Sequence, residues 1–116
     1  MHELGVTEGV LKVVLRHAEV SNADRVVSIS LKVGELHDII EEWMQRYFDY
    51  VSRGTIAEGA KIIIHQSPAT VMCEDCGKAF PINIRKMDKI LCPYCSGIKV
   101  NLASGRELII EEIEVI

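Results

Sequence analysis

The chain has 116 residues, of which 48% are apolar and 26% are charged. This length supports one modest core plus a small metal-stabilised module, but not two independent enzyme domains. The formal net charge of -4 argues against nucleic acid as the main partner, because phosphate binding needs basic residues gathered on one face. No apolar run approaches the ~20 residues of a membrane span, and no secretory signal is visible at the start. We therefore expect a soluble cytoplasmic protein with no membrane partner.

The first third of the chain predicts a helix followed by a strand. Apolar residues recur at helical spacing from Leu4 to Ala18, and the helix is expected to end near Ser21. From Arg25 to Gly34, apolar residues alternate with polar ones, which is typical of a half-buried strand.

A second helix is predicted after this strand. Asp38 and Glu41 have the spacing of a capping box at its start, and Gly54 is a plausible stop after its end. An apolar and aromatic stripe runs along this helix, and at such spacing it indicates the core face rather than a cofactor site. The stripe consists of Ile40, Trp43, Met44, Tyr47, Phe48 and Val51.

Two further strands complete the predicted fold. Lys61 to Gln66 forms one, and Arg106 to Ile116 forms the other, where glutamates interrupt the alternation and indicate a bulge or an edge position. We predict an α+β protein with a small mixed three-stranded sheet, two helices on one face and an inserted zinc-ribbon module. The predicted domains are 1-68 with 102-116, and the ribbon 69-101.

Four cysteines form two Cys-x-x-Cys pairs separated by fifteen residues: Cys73, Cys76, Cys92 and Cys95. Two such pairs can close a tetrahedron around zinc, and a set of four thiolates with no open position is ordinarily structural. Two disulfides or four unrelated thiols are the alternatives, and without a secretory signal oxidising conditions are not indicated. Iron in a rubredoxin-like carrier stays open, because sulfur ligands alone do not distinguish the two metals.

Residues near the cysteines fit tight metal-binding loops. Gly77, Pro93 and Gly97 are turn-forming residues placed where the chain must turn its amides towards sulfur. Between the pairs lies a small basic group, which we interpret as a solvated hairpin face; an acidic protein partner is the alternative. This group consists of Arg85, Lys86 and Lys89.

The amino terminus carries a second candidate metal site. With His2 in second place, the Met1 amine, the His2 amide and the His2 imidazole can close five- and six-membered chelate rings, which suit Ni(II) or Cu(II). Glu3 is a candidate for a further contact. The alternative is a solvated histidine on a frayed terminus. The other histidines are predicted to be polar surface residues: His17, His37 and His65.

Several short motifs, in order along essentially the whole chain, together resemble the HypA/HybF family of hydrogenase maturation nickel chaperones. These are the Met1-His2-Glu3-Leu4 start, Val33-Gly34-Glu35-Leu36, Gly54-Thr55-Ile56-Ala57-Glu58-Gly59-Ala60, the paired cysteines with Cys92-Pro93, and Gly105-Arg106-Glu107-Leu108.

The resemblance implies a function and a ligand set. Nickel would be bound by the Met1 amine, His2 and Glu3, and the cysteine quartet would hold structural zinc. A HypB-type GTPase, the large subunit of [NiFe]-hydrogenase and, in some members, urease maturation factors would be the partners. We predict a nonenzymatic nickel carrier; the alternative is a zinc-ribbon adaptor that docks to other proteins without specific nickel transfer. Neither a nucleophile–base pair nor a phosphate-binding glycine motif supports an enzyme.

Overall fold

The computed structural model describes residues 2–83 and 90–116, leaving aside the side chains of His2 and Glu3. Met1 and the basic group of Arg85, Lys86 and Lys89 therefore lie outside the described residues. The elements in chain order are α1 (His2–Val20), β1 (Val26–Gly34), a 3-10 turn (Glu35–His37), α2 (Glu41–Val51), β2 (Lys61–Ser67), β3 (Thr70–Cys73), β4 (Ala79–Pro81), β5 (Val100–Ser104) and β6 (Leu108–Val115).

The strands form two sheets of three, with orders β2-β1-β6 and β4-β3-β5. The predicted α+β class, with two helices and a small three-stranded sheet, is confirmed by the first of these. The second sheet was not predicted as a sheet, because its strands are only three to five residues long and such short segments carry little alternation. Among the described residues, no helix is both long and apolar enough to cross a bilayer.

Two compact units divide the chain: Met1–Lys32 with Ile39–His65 and Ile109–Ile116, and Val33–Asp38 with Gln66–Leu108. In the first unit α1 packs against α2. Helix α1 turns one face inwards at spacings of three and four residues, and β1 contributes alternate residues from Ile29 onwards, because these are the periods of a helix and a strand. The fully or nearly buried side chains of these elements are Thr7, Val10, Val14, Ala18, Val26, Ile29, Leu31, Val33, Met44 and Phe48.

The second helix differs from its prediction in two ways. The capping box is wrong: α2 begins at Glu41 after Ile40, no side chain caps it, and Asp38 instead takes a left-handed conformation at the end of the 3-10 turn. The aromatic stripe is also wider than the buried face, since Trp43 is 46% exposed. Sequence periodicity marks the apolar arc of a helix, but the neighbouring elements decide how much of it is covered.

Strand β6 occupies an edge of the first sheet, as its interrupted alternation indicated. It runs antiparallel to β1, because the Gly34 N–H donates to the Glu107 carbonyl near one end while the Ile116 N–H donates to the Arg25 carbonyl near the other. At this second end, the N–H groups of both Asp24 and Arg25 reach the Ile116 carbonyl. The pairing is therefore irregular at the end where β1 begins and β6 ends.

Candidate metal centres

The two cysteine pairs lie in loops of the same hydrogen-bonded design. In the first loop, the Cys73 N–H donates to the Lys78 carbonyl at 2.9 Å, and the Gly77 N–H donates back to the Cys73 carbonyl at 2.9 Å. In the second loop the corresponding bonds run from Cys92 N–H to the Gly97 carbonyl at 3.0 Å and from Ser96 N–H to the Cys92 carbonyl at 2.8 Å.

This design needs a left-handed residue directly after the second cysteine of each pair. Gly77 adopts a φ of 75° and Ser96 a φ of 62° at the equivalent positions. Glycine reaches this conformation without a steric penalty, as the turn prediction for Gly77 anticipated. The repetition of one loop geometry places all four sulfurs towards a common centre.

The sulfur positions fit one tetrahedral ion. All four ligand atoms lie within 4.8 Å of one another, with Sγ–Sγ distances of 3.5 Å for Cys73–Cys95 and 3.6 Å for Cys76–Cys92. A regular tetrahedron with Zn–S bonds of about 2.3 Å places its sulfurs about 3.8 Å apart. None of the four cysteines is in a disulfide, so the paired-disulfide alternative is not the arrangement in this structure.

The electrostatics of the quartet call for a cation. Burial opposes charge on the Cys92 thiol, but N–H groups of Tyr94 and Cys95 point at its sulfur and lower its pKa to about 7. At Cys95 the Gly97 N–H favours the thiolate, yet the neighbouring Cys73 sulfur and burial outweigh it and raise the pKa to about 12. Four thiolates this close repel one another, so full ionisation requires a bound metal ion.

The ribbon packs a small core around its sulfurs. Val71, Cys73, Phe80 and Cys92 are buried together, and Val71 pairs with Phe80 across the β3–β4 ladder. On the other side of β3, Cys73 pairs with Val100 of β5. Half of this buried cluster is cysteine of the candidate metal site, so a metal ion bound there would depend on the same side chains as the packing of the ribbon.

Position 97 requires glycine, because there is no space for a Cβ atom behind the sulfurs. A Cβ atom there would lie 2.6 Å from an Asp75 carboxylate oxygen and 3.2 Å from the sulfurs of Cys73 and Cys95. On the exposed side of the loops, the Lys78 ammonium lies 4.7 Å from the centre of the Tyr94 ring. The closed sulfur set, with no fifth candidate ligand among the described residues, has no open position for catalysis.

The amino-terminal candidate site lies at the beginning of a helix. Helix α1 includes His2 as its first residue, and the first four N–H groups of an α-helix have no helical acceptor. The amides of His2 and Glu3 are therefore available without breaking a helical hydrogen bond. Of the remaining histidines, His37 Nε2 bonds to the Arg106 carbonyl at 2.7 Å, and His65 lies 3.2 Å from Glu111.

Two glycine-containing motifs meet in the second unit, which periodicity did not predict. Gly34 lies so close to the other motif that a Cβ atom would be 2.1 Å from the carbonyl of Gly105. The Leu36 N–H donates to that same carbonyl at 2.9 Å, and Glu35 accepts from the Ala69 N–H at 3.0 Å. In the sequence these residues stood out only within the motifs at 33–36 and 105–108 that carry the family resemblance, and those motifs did not indicate that they touch.

Glu107 stabilises the turn just before β6, because its carboxylate accepts hydrogen bonds from the backbone of that turn. Its carboxylate accepts from the Ser67 hydroxyl, from the Gly105 N–H at 2.6 Å and from the Arg106 N–H at 3.1 Å. The Ser67 hydroxyl contributes most, and the backbone donors add to it, so that the pKa of Glu107 falls from 4.5 to about 2. Folding therefore stabilises the ionised form of the Glu107 carboxyl group relative to its protonated form.

Because the folded pKa is depressed, the contribution of Glu107 to stability is present above pH 4.5 and is lost as the pH falls towards 2. Glu107→Gln is expected to be less stable than the parent at pH 7, with a difference that shrinks across this window. Urea unfolding of both proteins at a series of pH values measures it, and any metal release common to both cancels in the difference. A difference that stays constant from pH 7 to pH 3 contradicts this role.

Comparison with known proteins places this architecture among characterised families. Residues 1–115 match the model of the family described as "Hydrogenase/urease nickel incorporation, metallochaperone, hypA". The hydrogenase maturation factor HypA of Dehalococcoides mccartyi strain 195 is 36% identical over 115 residues, covering 99% of this chain and 94% of the relative. That of Caldanaerobacter subterraneus subsp. tengcongensis is 35% identical over 116 residues, with 99% of each chain covered.

Two solved structures share the fold. The solution structure of a HypA protein has a TM-score of 0.75 at 20% identity and covers 100% of this chain and 97% of that one. The nickel metallochaperone HypA from Helicobacter pylori has a TM-score of 0.67 at 19% identity, with 98% and 97% covered.

Proposed function

The chain belongs to the HypA family of hydrogenase maturation nickel metallochaperones, and from this premise we propose where its two metals are bound. Nickel, the cargo, is held by the Met1 amine, the amide and imidazole of His2, and Glu3. Zinc, the resident ion, is held by Cys73, Cys76, Cys92 and Cys95. Members of the family are metallochaperones rather than enzymes, and the closed sulfur set of this chain suits a structural role.

The beginning of α1 at His2 is the observation that carries the nickel assignment. Nickel binding by a backbone amide requires that the amide lose its proton, and an amide inside a helix would lose a hydrogen bond with it. The first amides of a helix have no such bond to lose. In addition, the positive end of the helix dipole favours the negative charge that a deprotonated amide carries.

A site at the chain end also suits transfer. The ligands come from consecutive residues, so a partner can replace them one at a time without opening a core. Since the amine, amide and imidazole all bind protons in competition with nickel, affinity falls as the pH drops. Nickel release on acidification is the expected behaviour.

His2→Gln is expected to weaken nickel binding by at least about 100-fold, because loss of even an outer-shell partner costs 10–100-fold in metal affinity. Glutamine is preferred to alanine here, since a large second residue retains Met1 and so keeps the terminal amine in place. Isothermal titration of the zinc-loaded protein with Ni²⁺ measures the change.

Two controls separate the chelate from other nickel-binding groups. His17→Gln removes an exposed imidazole from the same helix and is expected to bind nickel as the parent does. A Gly-Ser extension before Met1 moves the amine and is expected to weaken binding as His2→Gln does. Equal affinity in the parent, His2→Gln and the extended protein would sink the assignment.

The family places this chain in hydrogenase maturation, and we propose its more specific partners from the resemblance. These are a HypB-type GTPase and the large subunit of [NiFe]-hydrogenase, with urease maturation factors as a further recipient. We also propose a functional division into a nickel-binding domain, 1-68 with 102-116, and a zinc-ribbon domain, 69-101. Pull-down of each partner by the full chain and by the His2→Gln variant tests whether docking and nickel binding are separate.

A further inference from the structure

The two edges of the β2-β1-β6 sheet differ in whether side chains accept the outward N–H groups of the edge strand. At the β2 edge, side chains of α2 accept the strand's N–H groups: Ile62 N–H donates to Gln45 Oε1 at 2.7 Å, and Ile64 N–H donates to Glu41 Oε2 at 2.9 Å. Gln45 also donates to the Ala60 carbonyl at 3.1 Å. This edge is therefore closed to another strand.

At the β6 edge, the sheet order places no strand beyond β6. Within residues 2–83 and 90–116, no side chain receives its outward N–H groups in the manner of Gln45 and Glu41 on β2. The strand is eight residues long and contains neither lysine nor proline, so its glutamates are the charged side chains that protect this edge, and they repel acidic strands rather than basic ones. Apolar side chains remain accessible along it, with Ile109 50% and Val115 38% exposed.

The charge of β6 has one sign. Its three ionisable residues are Glu111, Glu112 and Glu114, and among the described basic side chains only His65 lies beside one of them, with Nδ1 3.2 Å from a Glu111 carboxylate oxygen. A strand added beside β6 would place its side chains directly opposite these carboxylates. Opposite charges across such a pair stabilise it and like charges destabilise it.

A second copy of this chain fits the edge poorly. Antiparallel self-pairing sets residues of the same face opposite one another, so the two longest registers of Leu108–Val115 place Glu111 opposite Glu111 or Glu112 opposite Glu112. The next register towards the carboxyl end sets Glu112 opposite Glu114 twice. Repulsion therefore opposes a symmetric β6–β6 dimer.

We propose that the β6 edge binds an extended segment of another protein by strand addition, and that this segment alternates apolar residues with lysine or arginine. Its backbone pairs with the outward N–H and C=O groups of β6. Its basic side chains lie opposite Glu112 and Glu114, while its apolar ones cover Ile109 and Val115. Main-chain bonds provide affinity and the alternating side chains provide specificity, as in other strand-addition complexes.

Three synthetic ten-residue peptides test the proposal with the full-length, zinc-loaded protein. The first alternates valine and lysine, the second has glutamate in place of lysine, and the third is the lysine peptide with N-methyl groups on alternate amides. The lysine peptide is expected to bind at least about tenfold more tightly than the other two. Amide chemical shifts are expected to move at 109–115 and not at 61–65. Equal binding of the N-methylated peptide, or shifts confined to β2, overturns the proposal.

Charge reversal on the protein provides the second arm. Glu112→Lys with Glu114→Lys is expected to reverse the preference towards the glutamate peptide, and it leaves the Glu111–His65 pair intact. Glu8→Lys with Glu19→Lys, both exposed on α1, makes the same change in net charge away from the edge and is expected to keep the preference for lysine. The proposal fails if the α1 variant reverses the preference as well, or if β6-dependent dimerisation replaces peptide binding in sedimentation velocity.

Discussion

Replacing Cys73 by serine is expected to abolish tight zinc binding and to unfold the ribbon. Cys73 is fully buried and belongs to a cluster that otherwise consists of Val71, Phe80 and Cys92. A core this small does not keep its strands folded without further stabilisation, such as a bound metal ion. Structural zinc supplies about 10–16 kcal/mol in comparable peptides, and this binding free energy is also folding free energy.

Native mass spectrometry gives the zinc content of the Cys73→Ser variant, and amide hydrogen exchange reports on β3 and β5. Met72→Ser is the matched control, because Met72 is the preceding residue of β3 and is 45% exposed. The control is expected to keep one zinc ion and the protection of both strands. A Cys73→Ser protein with one tightly bound zinc and protected ribbon strands contradicts the structural assignment.

Replacing Gly34 by alanine is expected to destabilise the protein by about 2–4 kcal/mol, at or above the usual effect of overpacking. The new Cβ atom would lie 2.1 Å from the carbonyl carbon and oxygen of Gly105 and 2.5 Å from the Arg106 nitrogen. These are backbone atoms, so no side-chain rotation relieves the clash. The Gly34 N–H bond to the Glu107 carbonyl, at 2.6 Å, is broken if the loop moves away.

Gly9→Ala provides the comparison for this substitution. Gly9 lies in α1, and a Cβ atom there meets no heavy atom within 4 Å. The same chemical change is therefore expected to stabilise the protein by about 0.5–1 kcal/mol, because alanine loses less backbone entropy in a helix. Chemical denaturation of the two variants measures both effects. If both substitutions shift the denaturation midpoint in the same direction and by similar amounts, the close approach of the Gly105 backbone is not what requires glycine at position 34.

Regular local patterns were predictable from the sequence. Helix α1, strand β1 and strand β2 were placed within about two residues at most ends, because burial of one face imposes a period that short windows reveal. The cysteine spacing likewise indicated one metal-binding quartet, and the structure brings these four sulfurs within 4.8 Å. Paired loops with tight turns leave few other arrangements for such ligands.

Features that depend on neighbours were not predictable in this way. Asp38 and Glu41 have capping-box spacing, yet Asp38 ends a 3-10 turn and Glu41 accepts the Ile64 N–H of β2. Trp43 follows the apolar period of α2 but is nearly half exposed. In each case, a residue's local preference is overruled by what the adjacent strand offers or leaves uncovered.

The sequence alone thus indicated the cysteine quartet and the order of the two helices and the three longer strands, and it suggested the His2 chelate that we propose, because each depends on residues near one another in the chain. Only the tertiary structure placed Gly34 against Gly105, closed the β2 edge with Gln45 and left β6 open. These features depend on segments that are far apart in the sequence. A periodic pattern does not show which distant segments come into contact. Contact between distant backbones is decided by the packing of the whole unit.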